Sequence, residues 1–145
     1  MKLFLLLSSP LLLFAVLKAT ADERPNILLC ISDDQSYYHT GASGDPVIET
    51  PAFDRIAREG LRFANAFCDA PTCGPSRSAI LTGQPIWRLE EAGNIHSTLP
   101  AKFTTYTELL AKAGYHVGFT GKGWSPGRLE PGGRSQNPAG IEFSE

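Results

Sequence analysis

The sequence predicts an α/β fold, and three observations point to it. The first is "PNILLCISDD", where residues 27–31 are apolar without alternation and stop at two carboxylates. That is the pattern of a strand covered on both faces inside a parallel sheet. The second is that two helix-period segments, residues 51–59 and 105–113, each end at a glycine and lead into a strand-like run. The third is that the acidic pair Asp33–Asp34 and the later Lys122 both fall just after such runs. In open α/β sheets that edge is where ligands bind.

The elements follow in order. Residues 1–21 carry a basic start at Lys2, an apolar stretch over residues 3–17 and the small-x-small triplet Ala19-Thr20-Ala21. This predicts a signal peptide cleaved after Ala21, hence export to the periplasm or beyond. The stretch is broken by Ser8, Ser9 and Pro10 and is shorter than the ~20 apolar residues that a membrane span needs, so no span is expected after cleavage. Residues 22–145 then form one segment, expected to fold as a single α/β unit.

Past the first strand and a loop rich in Gly, Ser and Asp, "ETPAFDRIAREG" reads as a helix. Thr50 stands at its cap, Pro51 at its first position, Phe53, Ile56 and Ala57 on one face, and Gly60 at its end. "LRFANAF", residues 61–67, alternates and predicts a half-covered strand. "PSRSAILTG" predicts a short helix that begins near Pro75 and stops at Gly83, with Cys73 at its N-terminus. Thr105 and Glu108 have capping-box spacing, with Leu109, Leu110 and Ala113 as the buried side of their helix and Gly114 as its stop. Residues 115–120 predict the next strand. The remainder, residues 125–145, has little periodicity and reads as a long loop, so nothing after Thr120 is expected to close the sheet.

Composition narrows the function. The 145 residues hold 13 basic and 15 acidic side chains, a formal charge of −2, so neither nucleic acid nor a membrane surface is an expected partner. An anion site must therefore be local. Three cysteines, Cys30, Cys68 and Cys73, leave at least one unpaired within the chain. Cys30 lies in the apolar run and is expected to be buried. Cys68 and Cys73 are close enough in sequence to form a disulfide, which is the ordinary fate of thiols in an oxidising compartment.

Cys73 has a second reading. Arg77 lies four residues on, about one helical turn, so both side chains can address one small volume at a positive helix end. With Lys122 and a cation held by Asp33 and Asp34 on the same predicted edge, the set suits a sulfate or phosphate ester.

The segment "CGPSRSAILTG", residues 73–83, resembles the sulfatase signature, Cys-x-Pro-Ser-Arg, three variable residues and Leu-Thr-Gly, at every fixed position. "PNILLCISDD", "TPAFDRIAREGLRFANAF" and "AGYHVGFTGKGW" extend the likeness over residues 25–127. In tone it is similar to bacterial sulfatases of the heparan N-sulfatase type, in which a lysine followed by "WSPG" recurs.

The resemblance implies the N-terminal part of an alkaline-phosphatase-like fold, a mixed and mostly parallel sheet flanked by helices. It implies that Cys73 is oxidised to formylglycine by a formylglycine-generating enzyme reading Pro75 and Arg77. One oxygen of the hydrated aldehyde would attack sulfur, and the other would release the sulfate. Carried over residue by residue, Asp33, Asp34 and the modified residue 73 match ligands of one calcium ion. Arg77 matches the arginine that holds the aldehyde hydrate, and Lys122 the lysine that contacts sulfate. Ser76 belongs to the motif without a fixed role.

The expected substrate is a sulfated small molecule or glycan, as an ester or a sulfamate. Phosphonate or phosphate monoesters are the alternative within the superfamily. A non-catalytic secreted module with a Cys68–Cys73 disulfide is the alternative outside it.

Two departures stand out. Many family members carry a histidine two residues after the lysine, where this chain has Trp124. His96 is a candidate substitute, while His39 and His116 read as ordinary loop and strand residues. Family members also run to several hundred residues and draw further calcium ligands and leaving-group residues from later segments. The 145-residue chain is therefore expected to be a truncated portion, inactive alone.

Overall fold

The computed structural model describes residues 24–143; the expected signal peptide, residues 1–21, lies outside them. Contacts divide the chain into two compact units, Met1–Leu61 and Arg62–Glu145.

In the first unit, helix α1 (Pro51–Glu59) forms where its punctuation places it, with Thr50 before it, Pro51 at its start and Gly60 after it. Thr50 does not cap through its side chain. Its hydroxyl donates to Asp54 Oδ1 (2.9 Å) and accepts from the Gly41 N–H (2.9 Å), while Ala42 N–H donates to the same Asp54 oxygen (2.7 Å). This binds a 3-10 turn, Gly41–Ser43, to the first turn of α1. Gly41 leaves room for this carboxylate, since a Cβ there would stand 2.4 Å from Asp54 Oδ2 and push it aside.

The expected strand at residues 27–31 is not formed. Ile27, Leu28, Leu29 and Ile31 are exposed, and so is Cys30, which was expected to be buried. A run apolar on both faces becomes a strand only when neighbours bond to its edges and layers cover its faces. Among the described residues the sole sheet pairs two other segments. Residues 61–67 likewise carry no strand, and Phe63 and Phe67 are 71% and 91% exposed. The anticipated apolar face of α1 is also open, with Phe53 and Ile56 exposed.

The second unit holds the core. Helix α2 (Cys73–Thr82) begins two residues earlier than expected and ends at Gly83, whose φ of 63° is the left-handed conformation that glycine adopts without strain. Leu81 from this helix packs with Leu89, Ala92, Leu99 and Trp124, and Ile86, Phe103, Tyr106, Leu129 and Ala139 lie against them. Helix α3 (Tyr106–Lys112) carries the anticipated capping box. Thr105 Oγ1 accepts from Glu108 N–H, and the Glu108 carboxylate accepts from Thr105 N–H (2.8 Å). Its buried side differs from expectation: Thr105 and Thr107 are covered, whereas Leu109 is 56% exposed. Both threonine hydroxyls donate to the Pro138 carbonyl, so this face is selected by hydrogen bonding.

Residues 125–143 are not the loose loop expected of them. Strand β2 (Ile141–Glu142) pairs in parallel with β1 (Gly118–Phe119), matching Gly118 to Ile141 and Phe119 to Glu142. The α/β character is therefore present, among the described residues, as helices together with one two-stranded parallel sheet. Arg134, 7% exposed, donates to the carbonyls of Leu99 (2.8 Å) and Phe103 (2.7 Å) and pairs with Glu108 at 2.7 Å. Hydropathy patterning does not register such a segment, because what fixes it is the satisfaction of buried carbonyls.

Burial would push the Glu108 carboxyl up, but the Thr105 N–H and then Arg134 outweigh it and hold the group below its ordinary value. A carboxyl depressed in the folded state contributes stability above its unfolded pKa, about 4.3, and that contribution fades as pH falls through the lower folded value. The melting temperature is therefore expected to drop in this acid range. In Glu108→Gln the drop should be shallower, and equal slopes for the two proteins in a thermal melt series would refute the assignment.

Candidate active site

Cys73 is the first residue of α2, preceded by Thr72 in extended conformation, and its thiol is free and half-buried. The first turn of α2 has no acidic side chain, so the positive end of the helix is not neutralised from within. Arg77 follows one turn later. Its Nη1 donates to the Lys122 carbonyl (2.6 Å) and the Gly123 carbonyl (2.9 Å). One guanidinium thus joins two segments 45 residues apart in sequence, and the loop bearing Lys122 is held against the helix bearing Cys73.

Further contacts set the same approach. Ser78, fully buried, donates from Oγ to the Gly74 carbonyl (3.0 Å) and accepts from the Trp124 indole N–H (2.8 Å). Gly74 meets the loop at its backbone, since a Cβ there would lie 2.9 Å from the Pro126 carbonyl oxygen. Gly121 turns the chain into this loop with φ of 71°, a value available to glycine without strain. The Lys122 side chain is exposed.

Trp124 stands where the resemblance led one to expect a histidine. The indole is 4% exposed and its single N–H is committed to Ser78, so this position packs the core and does not face an anion. His96 is exposed, in a turn with φ of 59°. His116 is exposed and stacks on Phe143 at 5.8 Å, and His39 is an exposed loop residue. Ser76 is half-buried in the first turns of α2.

Asp33 and Asp34 belong to the first unit and are exposed, with Asp34 in the left-handed region at φ of 55°. Their carboxylates are hard oxygen donors of the type calcium takes, so the chemistry of the pair fits. Their number supplies part of a set of 6 to 8 oxygens. Among the described residues no three His, Cys, Asp or Glu side chains gather as a metal site.

Ser78 and Asn137 were not singled out by sequence. Ser78 occupies a variable place in the signature, and only its helical spacing from Gly74 hinted at a bond. Asn137 had no local signal at all.

The site therefore presents a cysteine at a helix start and, one turn on, a guanidinium that fastens the loop bearing Lys122 to the same helix. Comparison with known proteins identifies the family: the sulfatase family profile matches residues 25–127, and the chain belongs to the sulfatase family. It is 40% identical over 114 residues to an N-acetylgalactosamine-6-sulfatase of Homo sapiens, covering 70% of this chain and 22% of that protein. It is 34% identical over 119 residues to an N-acetylgalactosamine-6-O-sulfatase of Bacteroides thetaiotaomicron, covering 79% of this chain and 23% of the relative. A Ulvan-active sulfatase of Formosa agariphila is 36% identical over 100 residues, covering 69% and 20% respectively. The chain thus spans under a quarter of the length of these relatives. Family membership carries the alkaline-phosphatase-like α/β fold, of which the helices and the short parallel sheet form a part. No helix among the described residues is long and apolar enough to cross a membrane.

Proposed function

We propose that the chain is the nucleophile-bearing N-terminal portion of an exported sulfuric ester hydrolase acting on a sulfated glycan. The observation that carries this reading is the Arg77 guanidinium on the carbonyls of Lys122 and Gly123, which brings two signature segments to one helix N-terminus. The substrate class follows from relatives named for N-acetylgalactosamine sulfate and for ulvan.

In this reading Cys73 is the precursor of formylglycine, whose hydrated aldehyde supplies the nucleophilic oxygen. Arg77 keeps a permanent positive charge one turn from residue 73 while its fork anchors the lysine loop. Lys122 places an ammonium for a sulfate oxygen, where charge builds as the ester bond breaks. Helix α2 adds the positive end of its dipole at residue 73. Asp33, Asp34 and residue 73 would hold a calcium ion, which supplies Lewis-acid polarisation of sulfate oxygens when bound. Export rests on residues 1–21.

Trypsin should release residues 63–77 as one peptide, which contains both Cys68 and Cys73. After co-expression with a formylglycine-generating enzyme, mass spectrometry should find the aldehyde at Cys73 and an intact thiol at Cys68. An unmodified thiol throughout, or a bridge between the two, would overturn the proposal. Both thiols are free in the structure, which supports the first outcome.

A further inference from the structure

The loop bearing Lys122 is held from a second side by a residue that lies outside every signature segment. The side-chain amide of Asn137 pairs with the backbone of Trp124 in both directions. Trp124 N–H donates to Oδ1 (3.1 Å), and Nδ2 donates to the Trp124 carbonyl (3.1 Å). Oδ1 also accepts from Ala139 N–H (2.9 Å), which fixes the orientation of the amide.

The platform under Asn137 is itself anchored. The next residue, Pro138, is buried, and its carbonyl accepts from Thr105 and Thr107 at the start of α3. Three residues further on, Ile141 N–H donates to the Val117 carbonyl at the edge of β1 (3.3 Å). Asn137 thus ties residue 124 to helix α3 and the sheet, as Arg77 ties residues 122 and 123 to helix α2.

We propose that Asn137 is a positioning residue. With Ser78 on the indole and Arg77 on the loop carbonyls, it holds the 122–124 backbone in the one arrangement that presents the Lys122 ammonium to the sulfate. That triple hold keeps Trp124 buried. The inference rests on the proposed role of Lys122, but the clamp itself is open to measurement without it.

The test uses the full chain. In Asn137→Ala both hydrogen bonds to Trp124 and the one from Ala139 N–H are lost, and hydrogen exchange at the Trp124 amide should accelerate about tenfold or more. In Asn137→Asp the acceptor for that amide remains but an oxygen faces the Trp124 carbonyl in place of the donor, so protection should be intermediate, and unchanged exchange elsewhere in the second unit distinguishes loss of the clamp from general unfolding. Inorganic sulfate is then titrated at low salt and followed by amide shifts.

Asn137→Ala should weaken sulfate binding by roughly five- to tenfold, the effect of about one hydrogen bond's worth of lost order. In a Lys122→Ala background the same change should have an effect within about twofold, because the two residues act through one contact. Equal losses in both backgrounds would show that Asn137 acts elsewhere and would overturn the proposal. If the unaltered chain binds no sulfate, the role of Lys122 falls. The clamp then stands or falls on the exchange data, and unchanged Trp124 exchange in Asn137→Ala would overturn it.

Discussion

In the hydrolase of which the chain is the proposed N-terminal portion, Cys73→Ala is expected to lower sulfate-ester turnover by about a thousandfold or more, the scale on which a covalent nucleophile is lost. Cys68→Ala is expected to leave it unchanged. The fold should not be the reason for the loss. Cys73 occupies the first position of α2, half-buried and unpaired, and alanine is the better helix former there. Circular dichroism of the two variants should match that of the unaltered protein. The contrast between the cysteines is what gives the experiment its force. If they were partners in a disulfide, removing either would free the other, and both variants would suffer alike. If Cys73 alone is the site of oxidation, only its replacement is felt. Turnover of an aryl sulfate beside an aryl phosphate, measured on the hydrolase of which the chain is the proposed N-terminal portion, would decide which ester is used, and a preference for phosphate would sink the sulfatase reading.

What could be read from the sequence follows the range of the forces involved. Helix ends were legible because they are set within a few residues. Pro51 and Gly60 bracket α1, Gly83 stops α2 with positive φ, and Thr105 and Glu108 close a capping box on α3. The strands were not legible to the same degree, since a strand exists only through a distant partner. Residues 27–31 have the composition of a buried strand but no partner among the described residues, whereas Ile141 and Glu142, in a segment expected to be loop, bond to β1.

The site divides in the same way. Cys73 and Arg77 are one helical turn apart, so their proximity is a matter of counting. The union of Arg77 with the carbonyls of Lys122 and Gly123 is a tertiary contact that spacing does not reveal: the sequence placed both residues on one predicted edge, but neither spacing nor the family resemblance indicated that the guanidinium bonds to these carbonyls. The buried Arg134 and the Asn137 amide had neither signal. Both are polar residues in a stretch of Gly, Pro and Ser, and both act on backbone carbonyls whose positions depend on the completed fold.

Trp124→Ala is expected to be the most destabilising single change in the second unit, by about 3–5 kcal/mol in a urea titration. The indole is 4% exposed and packs with Leu81, Leu89, Ala92 and Leu99, so truncation opens a cavity between α2 and the loop that follows β1. Trp124→Phe separates packing from hydrogen bonding. It keeps an aromatic ring in place and loses the bond to Ser78, at a cost of about 1 kcal/mol, because Ser78 Oγ retains its bond to the Gly74 carbonyl. Trp124→His, the substitution toward the common family pattern, should fall between the two. Imidazole is smaller than indole, and a ring nitrogen left without a partner in this setting adds a desolvation penalty. A result in which Trp124→Ala and Trp124→Phe cost the same small amount would mean that the loop bearing Lys122 is not held by this core. The alanine variant should also weaken sulfate binding more than the phenylalanine variant does, because the Arg77 and Asn137 bonds are made to backbone that the indole keeps in place.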